Sequence, residues 1–125
     1  MSIVGMDGLL REALRGGYAL GYFESWDQYS LEAAIEAAEE ESAPAIIGFG
    51  GAVTSSAWLE DRGIEEMAAL AKCLAQPSPV PVALLFNEAT NLSQVQRGLQ
   101  AGCTAVMLDT SHLPFAENTD LTRRV

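Results

Sequence analysis

Two short apolar runs in this chain end abruptly in polar, chemistry-bearing residues. Val82-Ala83-Leu84-Leu85-Phe86 is followed by Asn87-Glu88, and Thr104-Ala105-Val106-Met107-Leu108 by Asp109-Thr110-Ser111-His112. Each run has the length of a strand buried on both faces. Glu24-Ser25 closes a third run, residues 18–23, and Gly50-Gly51 closes a fourth, residues 44–49. A carboxylate such as Glu88 can hold a cation, with a preference for hard ions such as magnesium or manganese, or can lie solvated at a strand exit. Asn87 can hydrogen-bond a ligand, but an amide does not exchange a proton near neutral pH. Asp109 can support a metal from behind its ligands, or satisfy the backbone donors of its own turn. His112 is the only histidine; a hydrogen-bonded structural role is its first reading, with titration or substrate contact as the other. Gly50-Gly51 can let a ligand approach the backbone or simply make a turn. Trp26 and Trp58 follow strand exits, where they either wall a cavity or pack under a loop.

The elements between these runs are helical. Asp7 or a neighbour caps a first helix with Leu9, Leu10, Ala13 and Leu14 on its apolar stripe, stopped by Gly16-Gly17. Asp27 opens a second, with Leu31, Ala34, Ile35 and Ala38 at helical spacing; Glu39-Glu40-Glu41 fits its solvated face and exit. Residues 52–56 form a small-residue loop, and Ile64, Met67, Ala68, Ala71 and Leu74 mark a third helix, broken by Gln76-Pro77-Ser78-Pro79. Asn91 caps a fourth with Leu92, Val95 and Leu99 on one stripe, ended by Gly102. Pro114 stands near the start of a last helix running through Leu121.

Four strands, each followed by a helix, with one helix in front, predict an α/β fold with a parallel sheet and right-handed crossovers. All the polar exits then fall on one edge of the sheet, the edge where such folds bind ligands. An eight-stranded α/β barrel takes about 250 residues, and this chain has 125. The expectation is one domain over residues 1–125: the N-terminal half of a barrel, with four βα units, cut off inside its fourth unit's helix.

Composition narrows the partners. Seventeen acidic against seven basic residues give a net charge of −10, which argues against nucleic acid and anionic membrane as partners. No apolar run approaches the ~18 residues of a membrane span, and the reading is a soluble, cytoplasmic protein. Cys73 and Cys103 lack metal-ligand spacing, and both are expected as reduced, small core residues.

Met107-Leu108-Asp109-Thr110-Ser111-His112-Leu113-Pro114-Phe115-Ala116-Glu117-Asn118 resembles the M-[IL]-D-x-S-H-x-P-F-x-E-N signature of class II fructose-bisphosphate and tagatose-bisphosphate aldolases. Residues 18–23 resemble that family's first strand, Y-A-[VL]-x-A-F-N, and the similarity runs from about Ile3 to the last residue. The resemblance implies a metal-dependent lyase that makes or breaks a carbon–carbon bond in a phosphorylated ketose. A divalent ion, usually zinc, polarises the carbonyl. It also implies that the third strand ends in H-x-D-H, where Leu85-Phe86-Asn87-Glu88 stands here. Asn87 therefore takes the position of the acid/base Asp, and Glu88 that of the first zinc-binding His. Glu24 takes the position of an Asn, adding negative charge beside a phosphorylated substrate, and His112 does not match a zinc ligand. The remaining zinc ligands and the phosphate-binding segments belong to the family's second half, so these 125 residues are expected to be inactive alone. Three readings follow: a divergent aldolase; a barrel that has lost this chemistry and serves binding, regulation or another reaction; and a half-barrel that pairs with itself as a homodimer through its edge strands.

Overall fold

The computed structural model describes residues 2–51 and 54–125. Its strands are β1 (Tyr22–Glu24), β2 (Ala45–Gly50), β3 (Val82–Ala89) and β4 (Ala105–Leu108). The helices are α1 (Met6–Gly16), α2 (Gln28–Glu40), α3 (Ser56–Trp58), α4 (Ile64–Ala75), α5 (Leu92–Ala101) and α6 (Phe115–Thr122). The strands pair in chain order, β1-β2-β3-β4, and every pair is parallel. A parallel neighbour can be reached only by a crossover, and α2, α4 and α5 provide one between each pair. The expected α/β half-barrel wall is thus present.

The two faces of the sheet are covered unequally. Ile47, Phe49, Val82, Leu84 and Phe86 face the crossover helices and meet Leu31, Ile35, Ile64, Met67, Ala71 and Val95 in the main core. Phe49 and Phe86 stack at a tilt, with ring centroids 5.2 Å apart. A methyl group at Gly98 would come within 2.9 Å of the Phe86 ring, so glycine there lets α5 lie close on β3. On the opposite face α1 covers one patch, with Leu9 on Ile46 and Ala83. The chain start is tied to the same region: the Ser2 hydroxyl donates to Ala75 O at 2.6 Å, and Val82 N donates to Ser2 O at 2.7 Å.

Two helix starts match their sequence signals. Asp27 caps α2 through a reciprocal box with Ser30, and Asn91 caps α5 by accepting from Gln94 N at 2.9 Å. Gly102 ends α5 in the left-handed conformation.

Other expectations are corrected. Asp7 does not cap α1: Gly5 is the capping residue, without a side-chain bond, and Asp7 sits in the first turn paired with Arg11. On α1 only Leu9 and Ala13 of the apolar stripe are buried, while Leu10 and Leu14 are exposed, because the helix meets the sheet along a single line. On α5 the buried set is Gln94, Val95 and Gly98, and Leu99 faces outward. The contact of Gly98 with Phe86 rotates the helix, and Gln94 tolerates burial because its amide donates to Glu60 at 2.6 Å and accepts from Thr90 N at 2.9 Å. The first strand is shorter than residues 18–23: its pairing begins at Tyr22 opposite Ile46, since β2 offers nothing further back for residues 18–20 to pair with. The third helix begins earlier than Ile64, through α3 and a π-helical turn at Leu59–Gly63. Gly63 accommodates the Trp58 ring, whose Nε1 donates to Glu66 at 3.0 Å, so Trp58 packs on a helix instead of walling a cavity. The expected loop at 52–56 lies partly outside the described residues, and its Ser55 caps α3.

The cysteines divide. Cys103 is buried at the start of the β4 segment, its thiol pushed up to about 12 by burial with Lys72 partly offsetting. Cys73 is exposed on α4, against the core role expected for it, because it faces away from the stripe that buries Ala68, Ala71 and Ala75. A thiol reagent at neutral pH should therefore label Cys73 rapidly in the folded protein and Cys103 only after denaturation. Equal labelling rates of both in native buffer would contradict this packing.

Candidate functional site

The parallel registers bring the polar exits of β1, β2 and β3 together. Glu24 lies opposite Gly48, and Gly50 opposite Asn87. Alternation along each strand puts Tyr22, Glu24, Gly48, Gly50, Leu85 and Asn87 on the face away from the main core. The two glycines are required there. A methyl at Gly48 would lie 2.0 Å from Leu85 O and 3.0 Å from the Tyr22 ring. At Gly50 it would lie 2.5 Å from Asn87 O and 2.6 Å from Glu24 Oε1. Bare backbone at these positions lets the Tyr22 and Glu24 side chains lie across β2 toward β3. Gly50 is thus a close-approach glycine rather than only a turn residue.

Glu88 reaches the same place by a different device. β3 does not stop at Asn87-Glu88, as the apolar run suggests, but continues to Ala89. Between Phe86 opposite Val106 and Ala89 opposite Leu108 the register slips by one residue. Glu88 takes up the slip with φ of 54°, a left-handed conformation unusual for a residue with a side chain. Simple alternation would aim Glu88 at the crossover helices, where Phe86 lies. The bulge instead leaves its charge acting on Tyr22 and Glu24.

Electrostatics record this crowding. Burial, and then the Glu88 carboxylate, raise the Glu24 pKa above the ordinary glutamate range, and the neighbouring Asn87 amide partly offsets them. Among the described residues, Glu24 Oε1 and the Tyr22 hydroxyl are buried atoms without a hydrogen-bond partner. Burial, with Glu24 and Glu88 adding to it, pushes the Tyr22 phenol far above its usual range, so it stays protonated and available as a donor. The apolar-run pattern hid Tyr22 inside a strand; the aromatic set two residues before Glu24 was the signal for it.

Asp109 and His112 form a separate cluster after β4. Asp109 Oδ1 accepts from Ser111 N at 2.9 Å, and the Ser111 hydrogen bonds hold its carboxyl below the usual range. Its own N–H donates to Ala89 O at 2.9 Å. Asp109 therefore satisfies backbone donors at its turn. Nearby, Asn118 Nδ2 donates to Thr110 O at 2.9 Å, tying α6 to the turn. His112 is exposed, and among the described residues its ring makes no hydrogen bond; it acts on Asp109 through charge alone. The hydrogen-bonded structural role expected for it is corrected, because the turn is closed by Asp109 and Asn118 instead. Trp26 is largely exposed beside the β1 exit.

The family model for class-II fructose-bisphosphate aldolase matches residues 4–125. The chain belongs to that family. It is 36% identical over its whole length to a fructose-bisphosphate aldolase of Geobacillus stearothermophilus, and 31% identical to one of Staphylococcus epidermidis, covering 43% of each. Among solved structures, 98% of the chain superposes on 44% of the YdjI aldolase from Escherichia coli K12, with a TM-score of 0.84 and 25% identity. A fructose-bisphosphate aldolase from Campylobacter jejuni shares the fold at a TM-score of 0.79 and 20% identity, over 42% of its chain. The chain thus spans less than half the length of these aldolases.

Within this class-II aldolase half, the donor set matches only part of a metal site. Glu24 and Glu88 offer carboxylate oxygens, one Glu24 oxygen being buried and, among the described residues, unpartnered, and Asn87 lies on the same edge. Among the described residues no three His, Cys, Asp or Glu side chains group to hold an ion. Such oxygen donors suit magnesium or manganese better than zinc.

Two tests follow. Because folded Glu24 holds its proton more tightly than the unfolded chain does, stability falls as pH rises from about 4.3, the ordinary glutamate value, through the raised folded value. Asp27 and Asp109 act oppositely, their pKa values being lowered, but they are common to parent and variant. Glu24→Gln should match the parent in urea melts at about pH 4 and exceed it at about pH 7; identical pH profiles would remove the crowding argument. Glu88→Gly should stabilise the fold by roughly 0.5–1 kcal/mol, since relief of the left-handed strain outweighs glycine's entropy cost. Destabilisation in the same melts would mean that the Glu88 side chain holds the bulge in place.

Proposed function

We propose that this chain supplies the first half of the active site of a metal-dependent aldolase acting on a phosphorylated ketose, within carbohydrate metabolism. The observation that carries this reading is the convergence of Glu24, Asn87 and Glu88 on one sheet edge, with Gly50 clearing the approach. Glu88, with Glu24 beside it, would hold a divalent cation, zinc by family resemblance or magnesium or manganese by donor chemistry. When bound, that ion would draw electron density from the ketose carbonyl. Neutralising the Glu24–Glu88 repulsion is what the ion would contribute to the protein, and it would also make the edge tolerable to a phosphorylated substrate. Asn87 would fix the hydroxyl beside the scissile bond by hydrogen bonding, without taking its proton. The protonated Tyr22 phenol would donate to the same ligand. Asp109, kept ionised by Ser111, would lend negative charge to the rim. The remaining ligands and the phosphate contacts would come from residues across the open side of the sheet. The acidic composition and the family support a cytoplasmic location, and among the described residues no helix is long and apolar enough to cross a membrane.

Asn87 also supports a second reading, in which the barrel is kept and the aldol chemistry is not. The two separate in one experiment. Residues 1–125 are joined to the downstream part of the Geobacillus stearothermophilus relative, and cleavage of fructose and tagatose bisphosphates is assayed with magnesium, manganese or zinc. Cleavage by the chimera, abolished by a chelator, supports the aldolase. An inert chimera that gains cleavage after Asn87→Asp with Glu88→His supports the second reading. The 125-residue chain alone is expected to show no cleavage under any of these conditions.

A further inference from the structure

Gln94 is a polar side chain with almost no exposed surface, 2%, on the face of α5 that also buries Val95 and Gly98. It is the third residue of α5 after the capping Asn91, a place from which a glutamine ordinarily turns back to the N–H of the capping residue itself. Here it reaches one residue further, and Gln94 Oε1 accepts from Thr90 N at 2.9 Å. The carbonyl of the same peptide, Ala89 O, accepts from Asp109 N at 2.9 Å. The Ala89–Thr90 peptide is therefore held by both of its polar groups, one from α5 and one from the exit of β4. On the other side of Glu88, Phe86 is fully buried against Phe49 and Gly98. Asn87 and Glu88 thus span two fixed points, and from Phe86 to Ala89 β3 has one residue more than β4 has from Val106 to Leu108. The surplus is trapped between them, and Glu88 takes it up with its φ of 54°.

Gln94 is itself anchored. Its Nε2 donates to Glu60 Oε1 at 2.6 Å, and the same oxygen accepts from Asn91 Nδ2 at 3.1 Å. Glu60 belongs to the π-helical turn Leu59–Gly63, a kind of turn that often stands at functional sites. Arg97, one turn along α5 from Gln94, donates to Glu60 O and Asp61 O at 3.0 Å each and to Glu65 Oε2 at 2.7 Å. Carbonyls of the wide turn thereby find donors, and the turn is clamped to α5. The connection that leaves β2 and the one that leaves β3 are thus joined behind the edge on which Gly50 and Glu88 lie. We propose that the Glu60–Gln94 pair positions Glu88. It holds the Ala89–Thr90 peptide, so that the extra residue of β3 stays at the rim and the Glu88 carboxylate stays with Tyr22 and Glu24. Without the pair, β3 is free to unpair beyond Asn87, and the left-handed backbone at Glu88 relaxes to an extended one. The inference rests on the reading of Glu88 as the carboxylate that holds a cation, and it names the residues that keep that carboxylate in place. Every group in this chain of bonds lies between β2 and the turn after β4, so the device does not depend on what stands across the open side of the sheet.

Nuclear magnetic resonance of the 125-residue protein and its variants is the test. Gln94→Leu puts an apolar side chain in the buried position and removes both amide bonds. The Glu88 backbone carbon shifts should then leave the left-handed range, and the Thr90 amide should exchange about tenfold faster, as expected for one lost buried hydrogen bond. Should Gln94→Leu not fold, Glu60→Ala is the milder variant; it leaves Gln94 in place without its anchor, and the same changes are expected at smaller amplitude. Arg97→Gln strikes the same helix contact without touching Thr90 and should leave Glu88 unchanged, which separates positioning from a general loosening of α5. In the exchanged pair, Glu60→Gln with Gln94→Glu, a carboxylate accepts from Thr90 N and an amide donates to that carboxylate, so the parent's shifts should return. Manganese chloride gives a second readout through line broadening at Glu24 and Glu88. The apparent affinity should fall roughly tenfold to a hundredfold in Gln94→Leu and recover in the exchanged pair. If the parent binds no manganese while Gln94→Leu still moves Glu88, the positioning stands and the cation reading falls. Glu88 shifts that stay at parent values in Gln94→Leu, or that move equally in Arg97→Gln, would overturn the proposal. So would failure of the exchanged pair to restore them.

Discussion

The carboxyl edge of this protein depends on how β3 keeps and then loses its register. Against β2 it stays in phase as far as Gly50 and Asn87, and against β4 it slips by one residue after Phe86. The first condition brings Asn87 level with the glycines over which Tyr22 and Glu24 lie. The second lets Glu88, in its left-handed conformation, join them instead of following Phe86 toward the helices. Both conditions are enforced from behind, where Phe86 is wedged between Phe49 and Gly98 with no exposed surface. Tight packing makes slippage of the whole strand costly, so the strain is confined to one residue at the rim.

That confinement has an electrostatic consequence. Two carboxylates and a phenol share a small, partly buried space, and the group that gives way is Glu24, held nearer to protonation than an ordinary glutamate. A buried charge without a partner is costly, and the unpartnered Glu24 oxygen and Tyr22 hydroxyl mark where such a partner is lacking among the described residues. Perturbed acids and strained backbone commonly coincide at functional sites. Here they coincide within three neighbouring strands, while Asp109 and His112 stand apart at the fourth, engaged with their own turn.

Much of this was legible in the chain. The strand–helix alternation fixed the topology, since parallel neighbours can be joined only by crossovers. Asp27, Asn91 and Gly102 marked helix ends that the structure reproduces, because capping is local chemistry between residues a few positions apart. Rotations of helices were less legible. Leu99 and Cys73 read as core and proved exposed, because the buried stripe depends on where the partner surface is: Gly98 seats on Phe86, and α4 turns its alanines inward. The family resemblance located Asn87, Glu88 and Glu24, and the aromatic two residues before Glu24 marked Tyr22, but no local pattern indicated the need for Gly48.

By itself the sequence determined the class of fold, the order of elements and the edge on which polar residues gather, all of which follow from periodicity and short-range capping. Only the tertiary structure decided which of those polar residues meet. Glu24 and Glu88 are 64 positions apart by number in the chain, and their mutual effect requires a particular register between strands and one extra residue in β3. Register is set by the packing of side chains on both faces at once, and no stretch of chain read alone contains that information.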